Sequence, residues 1–188
     1  ERLGKNTISA FVGSLGSGKT YLAVSTAIKA YRKNLIKYRI SRILFKGRIL
    51  KKWNFKPSLY SNIPIALAYT GRGKNKSPIL SKPLTREHLL MLDRLPEKAI
   101  TVIDEIGQFA SQWEFDNPLI MEQVATFIRF YRHFTDGRLI VTDQVSDNIV
   151  KPIRSRLGII YYLNDFRRWW FIMPFFKVSA IPLLSVED

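Results

Sequence analysis

The chain has 188 residues, of which 46% are hydrophobic and 24% charged, and these proportions predict one folded α/β domain rather than a disordered tail. It has no cysteine and two histidines, which excludes disulfides, thiolate metal sites and cysteine nucleophiles and disfavours a histidine-rich metal centre. Residues 1–86 hold 19 basic residues and one acid, whereas residues 87–188 hold 11 basic and 14 acidic residues. This division predicts a basic face that meets nucleic acid or anionic lipid, the alternative being a merely solubilising surface.

The first third of the chain predicts a strand, a turn, a helix and a basic insertion. Residues 7–12 form a short apolar run typical of a buried strand, and residues 19–31 show helical spacing of apolar side chains. Residues 32–56 contain ten Lys or Arg and are interpreted as a basic insertion after the helix.

Three interpretations of this insertion remain open from the sequence alone. It is a nucleic-acid-binding arm with aromatic side chains that stack on bases, an amphipathic surface on anionic lipid, or a solvated segment whose apolar residues pack on the domain. The candidate stacking residues are Tyr38, Phe45, Trp53 and Phe55.

The rest of the chain predicts strands that alternate with helices. A second strand is expected near residues 59–65, and residues 70–83 are predicted to form a mobile basic loop. Further buried strands are expected at 100–103, 139–141 and 158–163, with a helix at 118–134 capped by Asn117. Residues 169–186 read as strands or a buried tail, because two prolines and a lysine interrupt them. This alternation predicts a mostly parallel sheet with helices on both faces, formed by residues 1–188 as one domain.

The most specific motif is a phosphate-binding loop. Residues 13–20, Gly-Ser-Leu-Gly-Ser-Gly-Lys-Thr, match G-x-x-x-x-G-K-[ST] at every fixed position. The glycines let backbone N–H groups point at phosphate oxygens, and the following helix adds its positive dipole end. Lys19 is placed to reach the β- and γ-phosphates and Thr20 to bind Mg²⁺. The predicted nucleotide-binding residues are Gly13, Ser14, Leu15, Gly16, Ser17, Gly18, Lys19 and Thr20.

A pair of carboxylates follows the strand predicted at residues 100–103. Asp104 there is expected at the carboxyl edge of the sheet, near the phosphate loop, where it can hold Mg²⁺ directly or through water. Glu105 is the candidate general base for the attacking water. Acidic strand ends are common, so this pattern gains its specificity from the phosphate loop that precedes it.

Polar and basic residues further along supply other candidates. In P-loop ATPases a polar side chain at the tip of a neighbouring strand can contact the γ-phosphate, and Gln144 is preferred here over Thr142 and Asp143. An arginine finger that stabilises transition-state charge, in this subunit or a neighbour, is the other expectation. Its candidates, each with a solvated basic face as the alternative, are Arg129, Arg132, Arg154 and Arg156.

Three blocks of the sequence together resemble the zonular occludens toxin (Zot) domain family. They are GSLGSGKT, AITVIDEIGQF and FIRFYRHFTDGRLIVTDQVSDNIVKPIRSRLGIIYYL. That family includes the assembly ATPases of filamentous phages and is related to the FtsK/HerA motor superfamily. By resemblance, Asp104 and Glu105 serve Mg²⁺ and water, Gln144 matches the family's glutamine, and Arg132 falls where the superfamily often places an arginine finger. The Asp143 that precedes Gln144 departs from the smaller neutral residue expected there.

The resemblance implies an ATP- and Mg²⁺-dependent motor on the cytoplasmic face of the host inner membrane. Such a motor forms a homo-oligomeric ring, for example a hexamer, and extrudes phage single-stranded DNA while coat and pore proteins assemble around it. The chain starts without Met, so we expect a piece of a longer protein whose membrane anchor lies outside it.

The alternatives share the fold and differ in function. One is a double-stranded DNA translocase or packaging ATPase, and another is a nucleotide-gated assembly scaffold with little turnover. A small-molecule kinase is disfavoured by the basic half of the chain and by the paired carboxylates.

Overall fold

The computed structural model describes most of the chain in segments. These are residues 8–45, 55–70, 77–85, 88, 95–96, 98–111, 117–119, 122–123, 126–127, 131, 137–146, 149, 154–165 and 176–182. The described elements are β1 (Ile8–Gly13), α1 (Lys19–Phe45), β2 (Leu59–Ser61), β3 (Ala66–Thr70), β4 (Ser77–Leu80), β5 (Lys82–Pro83), β6 (Ile100–Ile103), α2 (Ile106–Ser111), β7 (Arg138–Asp143), β8 (Ile159–Asp165) and β9 (Phe176–Pro182).

One seven-stranded sheet, in the order β5-β2-β6-β7-β1-β8-β9, organises the molecule. All neighbouring pairs are parallel except β8–β9, which is antiparallel. The predicted mostly parallel α/β sheet is therefore confirmed. Because parallel strands all end at one edge, the residues that follow β1, β2, β6 and β7 meet there.

Alternate residues of the central strands enter two apolar layers. Phe11 of β1 and Ile140 of β7 pack with Ala23 and Ala27 of α1, on one face of the sheet. Ile8, Ala10, Leu139 and Val141 pack on the other face with Phe127 and Tyr131. Both faces of the sheet are thus covered, which explains why these strands read as continuous apolar runs.

Helix α1 is longer than the sequence pattern predicts. The apolar spacing ends near Tyr31, but the helix runs to Phe45, so the first part of the predicted insertion is a continuation of the helix. Residues 32–45 contain neither Gly nor Pro and are rich in Leu, Lys and Arg, which favour helix even without a buried face. The remainder of the predicted insertion, residues 46–54, lies outside the described residues.

The predicted basic loop at residues 70–83 is wrong for the part of it that the structure describes. Its described part forms β4, which pairs antiparallel with β3, and the short β5 at the edge of the main sheet. The side chains of β4 and β5 are exposed, so no buried apolar pattern marks them as strands. The basic residues at 72, 74 and 76 lie outside the described residues.

Two other predictions concern the second half of the chain. The side chain of Asn117 accepts a hydrogen bond from the amide of Leu119 at 3.0 Å, as expected of a helix cap. The residues described between 118 and 131 are helical, and the predicted end at residue 134 lies outside them.

Within the described residues no helix combines the length and apolarity needed to cross a bilayer.

Candidate active site

The phosphate-binding loop lies between the central strand β1 and helix α1. Gly16 and Gly18 have φ angles of 78° and 84°, in the left-handed region that side chains with a Cβ disfavour. The amide of Ser17 donates to the carbonyl of Ser14 at 3.1 Å, and the amide of Leu22 donates to the carbonyl of Gly18 at 3.0 Å. The loop therefore closes a tight turn that leads directly into the helix.

Gly13 is required by the close approach of strand β8. A Cβ at this position would lie 2.6 Å from the backbone oxygen of Leu163 and 2.7 Å from Oγ of Ser17. The Leu163 oxygen belongs to a strand paired with β1 and cannot move aside without breaking that pairing. The first glycine of the motif thus has a packing role.

Lys19 is a buried cation. Its side chain is only 4% exposed, and within the described part of the chain it forms no ion pair with a carboxylate. Burying an ammonium group without a counter-charge is costly, so its position favours an anionic ligand bound at the loop. The fold places this charge at the N-terminus of α1, where the helix dipole attracts the same anion.

A carboxylate and two hydroxyls form a continuous chain at the edge of the sheet. Asp104 Oδ1 accepts a hydrogen bond from Thr20 Oγ1 at 2.9 Å and another from Thr142 Oγ1 at 2.5 Å. Strand β7 lies between β1 and β6, so Asp104 reaches the loop across an intervening strand, as the predicted proximity requires. Thr142 belongs to that intervening strand, and its hydroxyl is bonded to Asp104 as well.

Asn62 holds the backbone of Asp104 from the opposite side. Its Nδ2 donates to the carbonyl of Asp104 at 2.8 Å, and its Oδ1 accepts from the amide of Asp104 at 2.8 Å. Asn62 immediately follows β2, the other neighbour of β6. The sequence analysis missed this residue, and its only signal was a polar side chain directly after a strand.

The turn that contains Glu105 is fixed by β7. Glu105 has a φ of 50°, which is unusual for a residue with a side chain, and its amide donates to Thr142 Oγ1 at 3.0 Å. The carboxylate of Asp143, only 3% exposed, accepts from the amide of Gly107 at 2.7 Å and from that of Gln144 at 2.7 Å. Asp143 thus ties the start of α2 to β7, which accounts for the acid found where the family resemblance leads us to expect a neutral residue.

A cleft of about 390 Å³ opens beside this turn. Its lining residues come from the end of β7 and from the segments that follow β6 and β7: Glu105, Gly107, Gln108, Asp143 and Gln144. The side chain of Gln144 is exposed, whereas that of Thr142 is buried and bonded to Asp104. The structure therefore places Gln144 at the mouth of the cleft and brings Thr142, the less preferred candidate, into direct contact with the predicted metal-binding carboxylate.

The candidate arginines fall into two groups. Arg129 and Arg132 lie outside the described residues. Arg154 is half-buried and Arg156 is exposed, and both precede strand β8 at its N-terminal end, the edge opposite the phosphate loop. A role for either in this subunit's own site is therefore not favoured by their place in the fold.

The donor set fits Mg²⁺. The oxygens of Thr20 and Asp104 lie 2.9 Å apart, so both can approach a single ion, and hydroxyl and carboxylate oxygens suit this hard cation. Mg²⁺ is commonly held by one or two protein oxygens together with substrate phosphates. Among the described residues, no cluster of three or more acidic, His or Cys side chains could hold a metal ion by itself.

Comparison with solved structures identifies the fold of this chain. The crystal structure of the N-terminal domain of zonular occludens toxin from Neisseria meningitidis superposes with a TM-score of 0.53 over 96% of both chains, at 13% identity. The chain has the fold of a Zot N-terminal domain. The resemblance that the three sequence blocks suggested is thereby confirmed at the level of fold.

Two further superpositions are weaker, and the sequence comparisons found no match. Two structures of Thermotoga maritima RuvB variants superpose with TM-scores of 0.43 and 0.42, at 18% identity, over 85% of this chain and 38% of theirs. No family model matches the chain, and no curated protein is similar to it in sequence. The comparisons therefore show the fold alone, and the chemistry follows from the residues of the site.

Proposed function

We propose that this chain binds ATP with Mg²⁺ and hydrolyses it. The observation on which this rests is the buried Lys19, which forms no ion pair among the described residues, beside the hydrogen-bonded Thr20–Asp104–Thr142 chain. These residues provide a cation for phosphate oxygens and an oxygen pair for a metal, at the N-terminus of a long helix.

In this proposal each side chain of the site has a role that its position supports. Loop amides and Lys19 bind the phosphates, while Thr20 and Asp104 hold Mg²⁺, which when bound supplies charge neutralisation at the phosphate oxygens. Glu105 borders the cleft and acts as the base that orients and deprotonates the attacking water. Gln144 at the mouth of the cleft contacts the γ-phosphate or the water.

The finer proposal is that hydrolysis powers the extrusion of single-stranded DNA during assembly of a filamentous phage. It rests on the Zot-domain fold together with the basic first half of the chain, since Lys and Arg that neutralise DNA phosphates provide most non-specific affinity. In this proposal the protein works as a homo-oligomeric ring at the cytoplasmic face of the inner membrane. Phage coat and pore proteins are its partners, Arg132 reaches a neighbour's nucleotide, and a segment outside the chain anchors it.

Steady-state ATP hydrolysis tests the first proposal. We expect Mg²⁺-dependent turnover that falls roughly 100-fold or more in Lys19→Ala, since one preorganised charge in a phosphoryl-transfer site contributes on that order. Lys29→Ala removes an exposed lysine from the same helix and is the matched control. Equal turnover in wild type and Lys19→Ala would contradict the proposal.

Adding DNA tests the finer proposal. Single-stranded DNA should stimulate turnover, and the stimulation should weaken as salt rises. Stronger stimulation by double-stranded DNA would instead favour a double-stranded translocase. Turnover indifferent to both would contradict a DNA motor while leaving the ATPase intact.

A further inference from the structure

The second half of α1 has an exposed apolar stripe. Ile36, Ile40 and Ile43 are 57%, 37% and 78% exposed, and their spacing of four and three residues places them on one side of the helix. The first half of α1 packs on β1, β6 and β7, with Ala23, Ala27 and Ala30 buried. Of the described side chains from 31 to 43, only Ser41 is buried; Tyr31 packs partly buried on the core, and the others are half-buried or exposed.

Cations border the stripe on both sides. At about 100° per residue, Arg32 and Arg39 lie along one border and Lys33 and Lys37 along the other. Arg32, Lys33 and Arg39 are exposed, and no acidic residue occurs between residues 2 and 86. The helix therefore presents aliphatic side chains between two rows of positive charge.

This arrangement is poorly suited to single-stranded nucleic acid. Base stacking needs an exposed aromatic face, and the exposed apolar side chains of the stripe are isoleucines. Of the four aromatic residues considered for stacking, Tyr38 has the Arg42 guanidinium 5.9 Å from its ring centre, and Phe55 has the Lys98 ammonium 4.3 Å from its ring centre. Trp53 and the side chain of Phe45 lie outside the described residues.

We propose that residues 32–43 of α1 form a docking surface for an anionic lipid bilayer. The isoleucine stripe enters the boundary between headgroups and acyl chains, and the flanking Arg and Lys extend to anionic headgroups. Each cation held near an anionic surface adds to the binding free energy. A strongly basic helix can therefore bind although only three apolar side chains insert. The helix lies in the plane of the interface and does not cross it.

Vesicle flotation of the full chain tests this proposal without nucleotide, so its outcome is separate from that of the ATPase assay. Vesicles of phosphatidylcholine with phosphatidylglycerol should bind the protein, and vesicles of phosphatidylcholine alone should bind it far less. Changing Ile36, Ile40 and Ile43 together to Ser should lower the partition coefficient roughly tenfold or more, because three partly inserted side chains are lost. Changing Arg32, Lys33 and Arg39 to Gln should remove the preference for anionic lipid.

A matched control changes three exposed apolar residues elsewhere. Tyr69, Ile79 and Leu80 of the β3–β4 hairpin are 66%, 45% and 50% exposed, and their joint change to Ser should leave flotation unchanged. Circular dichroism and the unfolding midpoint confirm that each variant is folded.

The proposal is overturned if the isoleucine variant floats as wild type does. It is also overturned if sedimentation velocity shows that the only defect of this variant is a loss of self-association. Loss of single-stranded DNA binding with vesicle binding intact in the Gln variant would overturn it as well.

Discussion

At the scale of single residues, the site depends on side chains that act through their neighbours. Thr142 and Asn62 are both hydrogen-bonded to the Asp104–Glu105 segment, on which the predicted metal ligand and general base lie. Sequence motifs predicted Lys19, Thr20 and Asp104, because their spacing is fixed by one local turn and one strand end. They could not rank Thr142 above Gln144, since that depends on the register of β7 beside β6.

Thr142→Val tests the bridging hydroxyl. Valine keeps the shape but loses the hydrogen bonds to Asp104 and from the Glu105 amide, so kcat should fall roughly 10- to 100-fold, as when the outer-shell partner of a metal ligand is removed. Nucleotide affinity should change less. Thr142→Ser retains the hydroxyl and should keep most activity; if Ser and Val are equally impaired, the hydroxyl is not what matters.

Asn62→Ala tests the clamp on the other side of Asp104. Loss of both 2.8 Å hydrogen bonds leaves the backbone amide and carbonyl of Asp104 without this partner. We expect kcat to fall roughly tenfold or more. Because the metal affinity is lowered, half-maximal activity at saturating ATP should require a higher Mg²⁺ concentration. Asn34→Ala, on α1, is a control that should leave turnover unchanged. Unaltered kinetics in Asn62→Ala would show that Asp104 is positioned without it.

At the scale of elements, predictability followed burial. The central strands β1, β6 and β7 were predictable because both of their faces are covered, which gives short continuous apolar runs. Strands β4 and β5 are exposed and contain proline, so they read as a loop. The end of α1 was missed because its second half is stabilised by helix propensity rather than by a buried apolar face.

Tyr131 links the helical segment before β7 to the sheet. Its hydroxyl is buried and lies 3.1 Å from the carbonyl of Ala99, 2.9 Å from Thr101 Oγ1 and 3.1 Å from the carbonyl of Arg138. Tyr131→Phe leaves these groups without that partner and should lower the free energy of unfolding by about 1–3 kcal/mol. Chemical denaturation measures the loss. Tyr21→Phe, at a position 75% exposed, should have no measurable effect.

At the scale of the whole molecule, the proposed nucleotide site lies at the centre of the sheet. Strand β1, which leads into the phosphate loop, is hydrogen-bonded to β7 on one side and to β8 on the other. A ligand held at this loop therefore stabilises a strand that the rest of the sheet needs. The charge of the chain is also divided, with 19 of its 30 basic residues in residues 1–86 and 14 of its 15 acidic residues in residues 87–188.

Bound nucleotide should consequently raise the stability of the entire fold. At a concentration 100 times its dissociation constant, a ligand specific for the folded state adds about 2.7 kcal/mol. We expect ATP or ADP with Mg²⁺ to raise the unfolding midpoint of wild type and of Lys29→Ala, and to leave that of Lys19→Ala nearly unchanged. A similar rise in Lys19→Ala would place the nucleotide elsewhere.

The attachment of the Glu105 turn to β7 has a consequence for how this turn fluctuates. A short connection between a strand and a helix ordinarily opens easily, and its amide protons exchange quickly with solvent. Here the amides of Glu105 and Gly107 are held by Thr142 and Asp143, two consecutive residues of a buried strand. Their exchange with deuterium should be as slow as that of the β7 core itself. The Glu105 carboxylate beside the cleft would then keep its position until the centre of the sheet opens.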